Sequence, residues 1–181
     1  IQMVAGKLKS GNKLAADANC GWHQHDAVRV VSAVSDMSLY IEQPCETYEE
    51  CRVVRDHSPH PMILDECMDS LQAVMRGHRE RAMDAINLKI SRMGGLTKSR
   101  IIRDVCMSLG IVMTIEDTWG GEIADAAIAH LAHSTPREYH FQSSAFHEYA
   151  THPIAEGGPV IKDGFMSMSH KPGLGVEPNW D

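Results

Sequence analysis

Short apolar runs alternate with amphipathic stretches along nearly the whole chain. The runs LAADAN, LYIEQP, MILDEC and AINLKIS are brief and β-prone, and each presents a charged residue at or near its end: Asp17, Glu42, Asp65 and Lys89. Strands are expected over 14–18, 39–43, 62–65, 85–89, 111–115 and 139–143. Helical spacing recurs between them. Val28, Val30, Val31 and Val34 mark a helix within 22–34. Thr47 opens another over 48–56, with glutamates in its first turn. Further helices are expected over 70–76, over 97–109 with Gly110 as the break, and over 123–133. The leading IQMVAGKLKSGNK reads as the last turns of a helix that Gly11 stops.

Strand–helix alternation of this kind means a parallel sheet with right-handed crossovers. The fold class is α/β, an incomplete (β/α) TIM-like barrel of about six units where eight are usual. From residue 152 the pattern changes to a Gly- and Pro-rich segment. Within it PVIKDGFMSMS reads as a hairpin turning at Asp163-Gly164, and GLGVEPNW as an irregular surface segment. Residues 1–151 are thus expected to form the barrel portion and 152–181 a separate C-terminal segment. Ile1 is not an initiator methionine, so the chain is expected to begin inside a larger protein.

Composition narrows the partners. A formal net charge of −7 with no basic stripe argues against nucleic acid. No apolar run approaches the roughly 20 residues that span a bilayer. Five cysteines in odd number, without a CxxC, suggest reduced thiols and a cytoplasmic protein. The eleven histidines show no metal-ligand spacing.

Asp17, Glu42, Asp65 and Lys89 recur at about the length of one strand-plus-helix unit. In a parallel sheet their side chains would arrive together at the C-terminal edge, where α/β folds build their sites. Three carboxylates make an all-oxygen donor set suited to Mg²⁺. Acids at strand ends also cap helices or solvate loops, and any one of them alone fits that role; three in register with a lysine argue for a shared site. Asn19 and Glu66 stand beside ligands, where they would orient the carboxylates. Lys89 lies inside an apolar strand; beside a dication and partly desolvated it would serve as a base near neutral pH. Glu116-Asp117 either cap the helix that follows or sit at the mouth of the site. His23 and His25 border the first ligand strand or are simply solvated. Cys45 and Cys67 read as packing residues.

The strings ADAN, YIEQP, ILDE, NLKISRMGGLTK and TIEDTWGGEI resemble the barrel of the enolase superfamily, in its mandelate racemase and muconate lactonizing branch. IEQPCETYEEC and MTIEDTWGGEIADAAIAHLAHSTP are similar to that branch's enzymes of proline derivatives, the cis-3-hydroxy-L-proline dehydratases and related hydroxyproline-betaine 2-epimerases. The resemblance implies that Asp17, Glu42 and Asp65 ligate Mg²⁺ and that Lys89 is the sixth-strand catalytic lysine. The family's second lysine, in a Lys-x-Lys motif, has no match; Lys7-Leu8-Lys9 lies in the helix before ADAN. An N-terminal capping domain and the first barrel strands would lie upstream, and the 152–181 segment would pack on barrel or capping domain.

The activity so implied removes the α-proton of a carboxylate substrate through a metal-stabilised enediolate, most simply in a dehydratase of cis-3-hydroxy-L-proline. A racemase or epimerase of amino acids or proline betaines on the same site is the alternative, and a non-catalytic truncated barrel a third reading. Asp117 and Trp119 would recognise the substrate's cationic amine by ion pairing and cation–π contact. Barrels of this type commonly associate, which implies a homo-oligomer.

Overall fold

Helices and strands alternate from the LAADAN run onward. The computed structural model describes residues 1–180. Its six principal strands lie in the sheet in chain order: β1 (Ala15–Asp17), β2 (Tyr40–Glu42), β3 (Met62–Leu64), β4 (Ala85–Lys89), β5 (Val112–Glu116) and β6 (His140–Ser143). The residues fall into two compact units, Ile1–Ile86 and Asn87–Asp181.

In the first unit β1, β2, β3 and the start of β4 pair in parallel. Helix α1 (Gln2–Ala5) is a single turn that ends before Lys7, so Lys7-Leu8-Lys9 lies in turns and coil rather than in a helix. The polar stretch KSGNK holds no apolar stripe that could pay for a longer one. Helices α2 (Gln24–Ala33), α3 (Tyr48–His57) and α4 (Leu71–Arg79) follow the strands. All three residues of β3 are buried, as expected for a strand covered on both faces. Full burial of Ile41, Ile63 and Leu64 stabilises the unit by about 1.5–3 kcal/mol each.

Local chemistry sets the ends of these helices. Thr47 and Glu50 form a reciprocal capping box, the Thr47 hydroxyl accepting from the Glu50 N–H at 3.3 Å and the Glu50 carboxylate from the Thr47 N–H at 3.1 Å. Ser70 caps α4 by accepting from the Ala73 N–H. Asp84, just ahead of β4, accepts from the Met62 N–H at 2.8 Å and pairs with Arg55 of α3. That contact ties a helix to the entry of two strands.

The second unit contains the end of β4, a short helix α5 (Ile90–Met93), α6 (Leu96–Leu109), β5, α7 (Glu122–His133) and β6. Gly94 and Gly95, at φ 88° and 104°, separate α5 from α6, so ISRM is a helical turn the periodicity does not reveal. Gly110 ends α6 in the left-handed conformation, as expected from the sequence. Tyr139 belongs to a 3₁₀ turn and not to β6, and a second 3₁₀ turn covers Phe146–Tyr149.

Beyond it lie β7 (Ala155–Glu156), β8 (Val160–Lys162), β9 (Phe165–Ser167) and β10 (Glu177–Pro178). The β8–β9 hairpin turns at Asp163-Gly164, both with positive φ, and Lys162 pairs with Phe165. GLGVEPNW is not wholly irregular: Glu177 and Pro178 pair antiparallel with Glu156 and Ala155. Two-residue strands carry too little alternation to be seen in a sequence. Among the described residues no helix is long and apolar enough to cross a membrane.

Candidate functional site

Parallel register decides where the first unit's acids fall. Asp17 pairs with Glu42, and Glu42 with Ile63. Asp65 follows β3 directly, two residues past Ile63, so continuing the alternation of strand side chains by one residue puts Asp17, Glu42 and Asp65 towards one face. Glu42 is 6% exposed and Asp65 2%, whereas Asp17 is exposed. Buried carboxylates are costly unless paired or coordinated. Asp17 is held by its own loop. One oxygen accepts from the Asn19 N–H and the other from the Asn19 side-chain amide, both at 2.8 Å. Asn19 and Cys20 take positive φ to close that loop. Asn19 therefore orients the Asp17 carboxylate directly.

Glu66 lies against Cys20, whose thiol burial, and after it the Glu66 carboxylate, push up to about 12. Burial likewise raises Cys45 and Cys67 to about 11. Such thiols stay protonated and inert at neutral pH. The His23 and His25 rings stack at 5.9 Å on exposed positions.

Three carboxylates with no soft donor among them suit Mg²⁺, and two of them are withdrawn from water. Donor chemistry and strand register fit that ion. The side chains themselves are not drawn together: among the described residues no three His, Cys, Asp or Glu groups form a metal-holding cluster.

In the second unit Lys89 ends β4 and its Nζ lies 3.5 Å from Glu116 Oε1 at the end of β5. Both side chains are nearly withdrawn from solvent, at 11% and 13% exposure. Asp117 is buried and fully engaged. It accepts from the Ser91 N–H at 3.0 Å, from the Ser91 hydroxyl, and from the Thr118 N–H at 2.8 Å. It does not cap α7, whose N-cap is Gly121. Trp119 is 68% exposed and packs against Phe146, with ring centroids 4.9 Å apart, and edge-on to Tyr149 at 6.3 Å.

Ser91, Phe146 and Tyr149 carry no role in the sequence reading, and Glu116 is placed there only as a helix cap or a mouth residue, not as the partner of Lys89. Glu116 had a signal, since it closes an apolar strand as the other acids do. Phe146 and Tyr149 had none, lying in a stretch without periodicity. His130, on α7, approaches the Leu174 carbonyl at 3.3 Å, a structural contact.

The enolase C-terminal domain-like family matches residues 1–181, the full length of the sequence. The chain belongs to that family. It is 54% identical over all 181 residues to the cis-3-hydroxy-L-proline dehydratase of Roseibium aggregatum, of which it covers 49%. A crystal structure of a mandelate racemase/muconate lactonizing enzyme from Roseovarius nubinhibens superposes with a TM-score of 0.96 at 42% identity, covering 98% of this chain and 48% of that one. An enolase-superfamily member from the same organism, crystallised with magnesium, gives 0.92 at 34% identity over 97% of this chain and 48% of its own. The chain thus spans about half the length of the relatives it matches. Its fold is the partial (β/α) barrel expected from the alternation of elements.

Proposed function

We propose that the chain is part of a Mg²⁺-dependent hydro-lyase that removes water from cis-3-hydroxy-L-proline. The observation that carries this is the likeness over all 181 residues to a dehydratase of that substrate. It is supported by the donor set Asp17, Glu42 and Asp65 on one sheet face and by a sequestered lysine closing β4.

Asp17, Glu42 and Asp65 would hold the cation, Asp17 kept in place by Asn19, with Glu66 beside them. When bound, the ion supplies positive charge for the substrate carboxylate as the α-carbon becomes electron-rich. Lys89 Nζ takes the α-proton as general base. The electron pair left on the α-carbon forms a double bond to C3, the C3–O bond breaks, and the hydroxide leaves as water with a proton taken from solvent, which the proton later released by Lys89 replaces. The cyclic enamine tautomerises to an imine. Lys89 must be unprotonated to begin, so its proton passes on before the next turnover; Glu116, at 3.5 Å, is a route for it.

Asp117 and Trp119 would recognise the substrate's ammonium. The Asp117 carboxylate is already saturated by Ser91 and Thr118, so it would act through its charge, while Trp119 offers an open ring face. Incubation of the full-length protein with cis-3-hydroxy-L-proline and Mg²⁺ in D₂O, followed by NMR, tests the reading. A pyrroline product supports it. Deuterium at the α-carbon without loss of water makes the protein an epimerase instead, and an unchanged substrate rejects both.

A further inference from the structure

Gln43 follows the second carboxylate, Glu42, and is fully buried at φ 27°, a backbone state that residues other than glycine seldom hold. A side chain with four hydrogen-bonding sites belongs in a core only if they are met. Its Oε1 accepts from the Asp65 N–H at 2.9 Å and from the Cys67 thiol at 3.4 Å. Its Nε2 donates to the Cys45 carbonyl at 2.9 Å and towards Cys51 Sγ at 3.5 Å. Donors face the oxygen and acceptors the nitrogen, so this amide orientation is the one the network permits.

The main chain of Gln43 is used as well. Its N–H donates to the Ile63 carbonyl and its carbonyl accepts from the Cys20 N–H, both at 3.0 Å. One residue therefore touches the loop that follows Asp17, adjoins Glu42, and holds the backbone of Asp65. Packing alone does not explain the choice, because an apolar side chain of similar length would fill the volume without needing four partners.

We infer that Gln43 is the positioning residue of the cation site, its side-chain oxygen fixing the Asp65 backbone so that the three acidic loops keep one register. This rests on the reading of Asp17, Glu42 and Asp65 as ligands. Groups that hold ligands in place typically change metal affinity by about 10–100-fold when removed.

The test is a Mn²⁺ titration of the full-length protein followed by electron paramagnetic resonance, with urea unfolding run in parallel. Gln43→Met keeps the length and loses the acceptor; it should bind Mn²⁺ about 10–100-fold more weakly while still unfolding in one transition. Gln43→Glu restores an acceptor towards the Asp65 N–H and should recover most of that affinity. Wild-type affinity in Gln43→Met, or equal losses in both variants, overturns the inference. Asp65→Asn in the same titration separates the two claims, because undiminished binding there removes the ligand reading itself. Should Gln43→Met not fold, ¹⁵N-labelled wild type carries the test. Its Asp65 main-chain and Gln43 side-chain amide signals should move together as Mg²⁺ is added, and a motionless Gln43 signal defeats the proposal.

Discussion

Lys89 and Asp65 are expected to fail in different ways when altered. Lys89→Ala removes the proposed base and leaves every proposed oxygen donor in place, so turnover of the full-length protein should fall by about 10²–10⁴-fold with little change in Mg²⁺ affinity. Kinetics paired with calorimetric titration separate the two quantities; retained turnover would remove Lys89 from its role. Asp65→Asn takes away the charge of a proposed ligand and should weaken Mg²⁺ binding. The buried thiols make a second residue-scale prediction. Cys45, Cys67 and Cys106 titrate higher in the folded protein than the ordinary 9.0, at about 11, 11 and 12, because burial penalises the thiolate. Unfolded thiols ionise first as pH rises, so their contribution to stability is complete below about 9 and is lost progressively as pH climbs through 11 to 12. Urea midpoints should therefore fall above pH 9, and a thiol reagent at pH 8 should label the native protein only slowly. Rapid labelling of Cys45 or Cys106 would contradict that burial.

Helix α3 offers the clearest test among the elements, because its start was written in Thr47 and the glutamates that follow it. Thr47→Ala deletes the side-chain half of the capping box and leaves the main-chain half, and should cost about 1 kcal/mol, read as a lower urea midpoint at unchanged slope. Strands 85–89 and the hairpin at Asp163-Gly164 were equally legible: the first is a long apolar run, the second a turn that requires positive φ. The short elements were not. The turn at Ile90–Met93 and the pairing of Glu177–Pro178 depend on contacts from outside their own sequence. So does the way the C-terminal segment is held. Glu122 accepts from the Ile154 N–H at 3.0 Å, and Asp125 accepts from the main-chain N–H of His147 at 2.8 Å and also contacts its ring. Both acids are buried in the first turn of α7. Asp125→Ala leaves that N–H unmet, at about 1–3 kcal/mol. Hydrogen exchange should then quicken at 146–154 while β5 stays protected; uniform quickening would mean that the segment is no separate layer of stability.

At the scale of the whole molecule, the acids of the candidate site could be placed in register from sequence because a parallel βα repeat delivers strand ends to one edge. What could not be read was how each side chain would be held. Asp17 turns to Asn19, Asp65 hangs from Gln43, and Lys89 pairs with Glu116, three contacts that no periodicity encodes. The first two are supplied within Ile1–Ile86, and all three carboxylates lie there, so a bound cation would act on the stability of that unit. An ion that binds the folded state alone stabilises it by about 2.7 kcal/mol at a hundred times its dissociation constant. For a domain of this size each kcal/mol raises the thermal midpoint by about 2–4 °C. Saturating Mg²⁺ added to the chelator-treated full-length protein should then raise the midpoint of the transition that includes residues 1–86 by about 5 °C or more. Glu42→Gln should flatten the response, since it removes the charge of a proposed ligand. A midpoint indifferent to Mg²⁺ in wild type would mean that these carboxylates, although aligned on one face, do not hold an ion together.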